Sequence, residues 1–237
     1  MNLIIFEPAE IRNNLLPFTF TRPVAEIRVG ILTLSEKWKL ALGLSPSYIA
    51  EPYLQNKFPL TVTEENYIIN GAVSPSEELV LAIKQLSFGE GLVYEGLFIG
   101  GKCNAHTAAE IKKNPDQINS HFNLISCAFD VAIVRHLWDI FALNKEEINK
   151  DFKIITKGRT SAPINDKYTH VYGEENIFIE EGAIIKSAIL NAENGPIYIG
   201  RNTEIMEGAI IRGSFAILEG SVIAMGSKIR GDTTVGP

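Results

Sequence analysis

Aliphatic residues recur at every sixth position near the end of the chain. The set is Ile199, Ile205, Ile211, Ile217, Ile223, Ile229 and Val235. The residues three positions after the first six are mostly turn formers, namely Asn202, Gly208, Ser214, Gly220, Gly226 and Asp232. Helices repeat at about 3.6 residues and strands at about 2, so a period of six indicates a short strand followed by a corner. The pattern predicts parallel strands stacked into a prism, a β-helix, rather than an ordinary antiparallel sheet.

The six-residue spacing begins earlier in the chain and is interrupted once. Ile179 and Ile185 flank Gly182 at the repeat spacing, and Asn191–Pro196 then breaks the pattern. We expect this interruption to be a loop pushed out of a corner. The pattern still runs where the sequence ends, at Pro237. Since an uncovered last coil would expose a solenoid core, we expect either a longer natural protein or a covering chain.

Before the repeat, strand and helix patterns alternate, which predicts an α/β layer domain with a largely parallel sheet. Strands are expected at Asn2–Phe6, Tyr67–Ile69, Leu92–Tyr94 and Leu97–Ile99. Helices are expected at Leu34–Leu42, from Pro75 to Leu86, and at Val131–Asn149. Ser35 is the expected N-cap of the first helix, and Ile133 and Phe141 are expected to face inward in the last. The pattern changes near Tyr172–Asn176, which predicts domains 1–175 and 176–237.

The loop after the first strand contains Pro8 and Pro17, so we expect no regular element there.

Composition narrows the classes of protein. The chain has 237 residues, 46% of them hydrophobic and 21% charged, which excludes extended disorder. Its net charge of −6 argues against nucleic-acid and anionic-membrane binding. No apolar run reaches membrane-spanning length, and the start of the chain lacks the basic flank of an export signal. Cys103 and Cys127 lie in no CxxC motif, so we expect two buried, reduced thiols in a cytoplasmic protein.

One segment carries a recognisable motif. Leu15–Pro23 reads LLPFTFTRP. It resembles the sugar nucleotidyltransferase signature, in which a Leu-x-Pro-Leu-Thr core leads to an Arg-Pro or Lys-Pro pair. Together with the β-helix behind it, the chain is similar to the bifunctional N-acetylglucosamine-1-phosphate uridylyltransferase and glucosamine-1-phosphate acetyltransferase family, in a shortened Bacteroidetes-type branch. It is also similar to glucose-1-phosphate thymidylyltransferases.

The resemblance implies a Rossmann-like nucleotidyltransferase domain followed by a short left-handed parallel β-helix of hexapeptide repeats. It implies an enzyme that makes an NDP-sugar and pyrophosphate from UTP or dTTP and a sugar 1-phosphate, either N-acetylglucosamine or glucose 1-phosphate. Mg²⁺ is implied as cofactor, with ligands unknown, and a homotrimer through the β-helix is implied as the assembly. No membrane or nucleic-acid partner is expected.

Both reactants are polyanions, so their approach requires clustered cations and a metal ion. Residues 1–40 carry five basic and four acidic side chains, whereas the rest of the chain has a negative net charge. We therefore expect an anion site among residues 1–40. The candidate catalytic residues are Arg12, Arg22 and Arg28, which could clamp phosphates. The candidate substrate-binding residues are Thr19, Thr21, Asn70 and Gly71.

The chain also departs from the family pattern. Glu7–Asn14 contains no glycine where the family has a Gly-rich loop, and Asn14 stands in place of that loop's arginine. Val24 and Ala72 replace the expected lysine and metal-binding aspartate. Glu7 or Asp130 could provide a carboxylate for the metal instead.

Two alternative functions remain open. One is a catalytically degenerate sensing or scaffold domain on a β-helix. The other is an acyltransferase whose active-site coils lie beyond Pro237, because none of the four histidines (His106, His121, His136 and His170) is expected in the repeat.

Overall fold

The computed structural model describes residues 1–236 and forms two compact units. One unit comprises residues 1–28 and 32–139, and the other comprises residues 29–31 and the chain from Ile140 onward. Among the described residues, no helix combines the length and the apolarity of a membrane span. The division of the chain into domains 1–175 and 176–237 stays a prediction.

A six-stranded sheet forms the centre of the first unit. Its strands are β1 (Asn2–Phe6), β2 (Pro46–Ile49), β3 (Glu65–Asn70), β4 (Glu90–Tyr94), β5 (Leu97–Asn104) and β6 (Asn123–Ser126). Their order across the sheet is β2-β1-β3-β5-β4-β6. β1 is parallel to β2 and β3, and β4 is parallel to β6. β5 runs antiparallel to both β3 and β4.

The predicted α/β layer domain is therefore confirmed, but its sheet is mixed and not largely parallel. The β4–β5 hairpin reverses the chain within the sheet at Glu95 and Gly96, whose φ angles of 51° and 79° suit a tight turn. The two strands joined by this turn contain the predicted strands Leu92–Tyr94 and Leu97–Ile99.

The part of the chain that the structure describes contains five α-helices. They are α1 (Ala9–Asn14), α2 (Leu34–Leu42), α3 (Glu77–Gln85), α4 (Ala105–Lys113) and α5 (Leu137–Thr156). Short 3-10 helices occur at Phe18–Phe20, Val24–Glu26, Pro115–His121 and Glu174–Asn176. One face of the sheet packs on α4, where Ile4, Ile68 and Phe98 join Ile111 in a single buried cluster.

Two local predictions are wrong, and both concern the residue at which a helix begins. The loop predicted after β1 contains α1, because Pro8 lies just before the first helical turn, where its missing N–H costs nothing. α2 has the predicted bounds, but its N-cap is Thr33 and not Ser35. The Thr33 side chain accepts a hydrogen bond from the Glu36 N–H and the Glu36 carboxylate accepts one from the Thr33 N–H, which is a capping box.

The last predicted helix is displaced along the chain. It begins at Leu137, not at Val131, and continues to Thr156. Ile133 forms an isolated antiparallel bridge with Val73, so it is not helical. Phe141, which was expected to face inward, is 70% exposed. The sequence also expects two buried cysteines, whereas Cys103 is buried and Cys127 only half-buried, both as free thiols.

The second unit contains a β-helix of three parallel sheets. Its strands are β7 (His170–Tyr172), β8 (Ile177–Ile179), β9 (Ile184–Ile185), β10 (Ile189–Asn191), β11 (Ile197–Ile199), β12 (Glu204–Ile205), β13 (Ile210–Arg212), β14 (Phe215–Ile217), β15 (Val222–Ile223), β16 (Lys228–Ile229) and β17 (Thr233–Val235). The sheets have the orders β16-β13-β10-β7, β17-β14-β11-β8 and β15-β12-β9. This stacking is consistent with the predicted left-handed β-helix. His170 lies in β7, a strand that pairs with β10 but precedes the predicted repeat of residues 176–237.

The coil length matches three hexapeptides. Ile199 pairs with Ile217, 18 positions further along the chain. Leu190 pairs with Ile211. Nine positions therefore separate Leu190 from Ile199, whereas six separate their partners Ile211 and Ile217. The extra residues lie where an interruption at Asn191–Pro196 was predicted.

The corners also match the prediction. Five of the six expected corner residues have positive φ, namely Asn202 (53°), Gly208 (76°), Gly220 (70°), Gly226 (70°) and Asp232 (53°). Gly, Asn and Asp tolerate this conformation better than other residues. Inside the prism, the aliphatic ladder from Ile199 to Ile217 is fully buried.

We predict that Ile205→Ala lowers the free energy of unfolding by about 2–5 kcal/mol, because it opens a cavity in the ladder. Ile205 is 0% exposed and stacks between Ile185 and Ile223. Ile184→Ala is the matched control, since Ile184 is 50% exposed and its truncation should change stability by no more than about 0.5 kcal/mol. Urea denaturation measures the free energy of unfolding of both variants. Equal decreases in the two variants would contradict the inward orientation of Ile205.

Candidate functional site

A cleft of about 530 Å³ opens at one edge of the six-stranded sheet. Glu7 directly follows β1, and Ala50 and Glu51 directly follow β2, so the cleft lies at the carboxyl ends of two parallel strands. Ligands of α/β sheets bind at this edge. The lining residues are Glu7, Ala9, Arg12, Ile49, Ala50, Glu51, Pro52, Gln55, Lys112, Pro115 and Asp116.

Arg12 is the predicted arginine that lines this cleft. It projects from α1 and is 7% exposed. Its guanidinium lies 3.5 Å from Glu7 Oε1 and 3.6 Å from Glu51 Oε1, and it donates a hydrogen bond to the Tyr53 hydroxyl. These partners hold the planar cation in one place, as a bidentate phosphate contact would require. They also compensate its charge, so an arriving anion must compete with two carboxylates.

Glu7 connects Arg12 to the motif segment. Its Oε2 accepts a hydrogen bond of 3.0 Å from the Val24 N–H, while its Oε1 faces Arg12. Burial raises the pKa of Glu7 above its ordinary value of 4.5, although the Val24 N–H and the Arg12 charge oppose that rise.

The cleft has a small excess of negative charge. Glu7, Glu51 and Asp116 are its three carboxylates, and Arg12 and Lys112 are its two cations. The cleft lining alone therefore does not provide the excess of positive charge that favours a polyanionic ligand.

Within residues 1–236, no three His, Cys, Asp or Glu side chains are grouped as a metal site. Mg²⁺ commonly uses only one or two protein carboxylates in addition to substrate phosphates, so the oxygen ligands of Glu7 and Glu51 suit its chemistry. Asp130, the other carboxylate considered from the sequence, accepts a hydrogen bond of 3.1 Å from the Tyr94 hydroxyl and does not line the cleft.

The other two arginines lie outside the cleft lining. Arg22 is exposed and has no ion-pair partner in the described part of the chain. Arg28 forms an ion pair with Glu36, with Nη1 and Oε2 3.4 Å apart. The structure thus does not gather the three arginines around the cleft, and the phosphate roles of Arg22 and Arg28 stay predictions.

The two threonines of the motif differ in environment. Thr19 is fully buried, and its hydroxyl donates a 2.8 Å hydrogen bond to the Arg12 carbonyl. It therefore fixes the backbone that carries Arg12. Thr21 is exposed at the end of the same 3-10 helix. Its predicted substrate contact stays a prediction.

Asn70 ends β3 and Gly71 directly follows it, on the other side of β1 from the cleft. Asn70 is fully buried, donates to the Phe98 carbonyl at 2.9 Å and accepts from the Ala72 N–H at 3.0 Å. A Cβ on Gly71 would lie 3.2 Å from the Ala25 Cβ. The strand order reverses between β1 and β3, which creates a crevice at the carboxyl ends of these strands. Ligands often bind at such a crevice. Here the chain's own Ala25 lies at this position. The contacts predicted from Asn70 and Gly71 to substrate stay predictions.

Sequence reasoning missed Glu51, Tyr53, Lys112 and Asp116. Glu51 and Tyr53 follow β2, and Lys112 lies in α4, two elements that were not predicted. An available signal was Asn104, which caps α4 by accepting a hydrogen bond from the Thr107 N–H at 2.9 Å.

We predict that Glu7 makes stability depend on pH. Because its folded pKa lies above 4.5, the folded state holds the proton more tightly than the unfolded state does, and stability falls as pH rises from 4.5 through the folded pKa. In Glu7→Gln, this contribution to the decrease in the free energy of unfolding should be absent. Urea unfolding at several pH values between 4.5 and neutrality tests it, and identical slopes for the two proteins would contradict it.

Comparison with known proteins agrees with the motif and the fold. The model of a family described as sugar nucleotidyl transferase matches residues 3–160, about two thirds of the chain. No curated protein matches the chain. Nucleotidyl transfer is the general chemistry of this family, and the first unit contains the greater part of the matched segment. The chain belongs to the sugar nucleotidyltransferase family.

Proposed function

We propose that this chain makes an NDP-sugar and pyrophosphate from a nucleoside triphosphate, UTP or dTTP, and a sugar 1-phosphate, N-acetylglucosamine or glucose 1-phosphate. The observation that carries the proposal is the family match over residues 3–160. The cleft at the carboxyl ends of β1 and β2 supports it, because its volume of about 530 Å³ suits a small ligand.

In this reaction a phosphate oxygen of the sugar 1-phosphate attacks the α-phosphorus of the triphosphate. A new P–O bond forms, the bond between the α-phosphorus and its bridging oxygen breaks, and pyrophosphate leaves. Arg12 is proposed to bind phosphate oxygens in the cleft, where its low exposure strengthens the interaction. Lys112 could bring a second cation to the same volume.

Arg22 and Arg28 are proposed to contact phosphates from the motif segment. Support for Arg22 is its exposure and its lack of an ion-pair partner among the residues described. Thr21 would contact substrate beside it. Thr19, Asn70 and Gly71 are buried, which favours roles in holding the loops around the site over direct contact.

Mg²⁺ is proposed as the cofactor, since family members generally use it and the cleft has an excess of carboxylates. Glu7 or Glu51 would hold it together with phosphate oxygens. Bound there, the metal would neutralise charge on the transferring phosphates.

We predict that Arg12→Ala lowers kcat/KM at least about a hundredfold, because it removes a preorganised charged donor. Arg12→Lys should retain part of the activity, since it keeps the charge but loses the planar fork. Pyrophosphate release with each nucleotide and each sugar phosphate, with Mg²⁺ present, measures the effect.

Arg135→Ala is the matched control for Arg12→Ala. Arg135 also forms an ion pair in the first unit, 2.8 Å from Glu95 Oε2, but it does not line the cleft. The proposal fails if the unaltered protein releases no pyrophosphate and shows no thermal shift with any nucleotide.

A second candidate function is a catalytically degenerate sensing or scaffold domain. It is favoured by the buried Ala25, which lies against Gly71 at the crevice between β1 and β3, and by the two carboxylates already paired with Arg12. The same assay separates the two functions. A degenerate domain releases no pyrophosphate, and any other activity of the protein stays unchanged in Arg22→Ala, whereas Arg22→Ala weakens phosphate binding by the proposed transferase.

We also propose a homotrimer assembled through the β-helix. Ile184 and Val222 face outward on the sheet β15-β12-β9 and are each 50% exposed, and Met225 is 71% exposed. Burial of this apolar surface against other copies would stabilise an assembly.

We predict that analytical ultracentrifugation shows a trimer and that Val222→Lys shifts it toward the monomer, because a charge would be buried at the contact. Lys228→Ala, at an exposed position on a different sheet of the β-helix, is the control. A monomeric parent protein at micromolar concentration would contradict the assembly.

A further inference from the structure

The last turn of α4 brings a lysine to the wall of the cleft. Lys112 lines the cleft together with Pro115 and Asp116, which follow the end of α4. Ile111, the residue before it, is 0% exposed and packs in the buried cluster on one face of the six-stranded sheet. The backbone of Lys112 is therefore fixed by the core of the first unit, while its side chain is exposed beside the open space.

Lys112 has no partner, unlike the cations nearest to it. Arg12, the second cation of the lining, lies 3.5 and 3.6 Å from the oxygens of two carboxylates. Lys113, the next residue in the chain, has its Nζ 2.7 Å from Glu110 Oε1. The side chain of Lys112 forms no ion pair or hydrogen bond with any part of residues 1–236. Lys112 can therefore bind an anion without giving up a carboxylate.

The charges of the lining give this cation its weight. Glu7 and Glu51, two of the three carboxylates, are the partners of Arg12. The remaining charges of the lining are Lys112 and Asp116, and these two side chains do not pair with each other. Without Lys112, the wall formed by the end of α4 would present only the negative charge of Asp116. Because Coulomb attraction grows with the charge of the ligand, the effect of each added phosphate depends mainly on Lys112.

We propose that Lys112 binds phosphate oxygens of the nucleoside triphosphate and determines the preference of the cleft for ligands with several phosphates. This inference rests on the proposed function, in which the cleft accepts a nucleoside triphosphate. The ammonium group is a point charge with three donors on a flexible four-carbon stem, so it can follow a phosphate chain. The Arg12 guanidinium is a planar fork held in one place, which suits the orientation of a single phosphate.

The test compares Lys112→Met with Lys113→Met in the full chain. Methionine keeps most of the apolar stem of lysine but removes the charge. Lys113 is the matched control because it is adjacent and equally charged but does not line the cleft. Isothermal titration calorimetry with Mg²⁺ present measures the Kd of UTP, dTTP and UMP for each variant and for the unaltered protein. Pyrophosphate release is measured separately.

We expect Lys112→Met to weaken the binding of UTP and dTTP about tenfold, the effect of one lost charged hydrogen bond, and that of UMP less than about twofold. Lys113→Met should leave all three Kd values unchanged. Lys112→Arg should retain the preference for the triphosphates, because it keeps the charge.

Three results in the variants would overturn the inference: unchanged binding of the triphosphates in Lys112→Met, an equal loss in Lys113→Met, or an equal loss for UMP. An unaltered protein that binds neither triphosphate would overturn it as well. The proposed function fails in a different way. In that case the unaltered protein binds a triphosphate with an affinity that depends on Lys112, but it releases no pyrophosphate with any sugar 1-phosphate.

Discussion

The parallel pairing of β1 with β2 on one side and β3 on the other determines where the candidate site residues lie. Because the three strands run in the same direction, Glu7, Ala50 and Asn70 reach the same edge of the sheet. The two sides of β1 differ at that edge. Ala25, 1% exposed, lies against Gly71 at the end of β3, while an open cleft lies beside β2. Arg12 therefore lines an open space at the carboxyl ends of the strands.

The β-helix could be predicted closely from the sequence because its rules are local. An aliphatic residue every six positions fixes the register, and Asn202 and Gly208 adopt the corner conformation that their residue types predict. The α/β unit was less predictable. Pro8 reads as a helix breaker unless the helix starts directly after it. β2 has four residues and takes its place by pairing with β1, a partner more than 40 positions earlier in the chain.

The candidate site could be predicted only in part, for the same reason. Arg12 was identified from its nearness to the motif, and it lines the cleft. Its partners Glu51 and Tyr53 come from the segment after β2, so no local pattern connects them to α1. Asn70 ends a strand as a binding residue would, yet its amide donates to the Phe98 carbonyl and accepts from the Ala72 N–H. The sequence can predict that a residue lies at the end of a strand. Whether there is room for a ligand beside that residue depends on the packing of segments that are far away in the chain.

Glu7 links the open cleft to the filled crevice. One of its carboxylate oxygens faces Arg12 in the cleft, and the other accepts the Val24 N–H from the segment that occupies the crevice. A phosphate that takes the Arg12 guanidinium would remove one partner from a carboxylate whose burial already raises its pKa. An unpaired buried charge is costly, so Glu7 must then gain a proton, a metal ion or a new hydrogen bond. Each of these changes alters the acceptor that holds Val24, two positions after Arg22. Under the proposed function, anion binding in the cleft would therefore be coupled to the segment that carries Arg22.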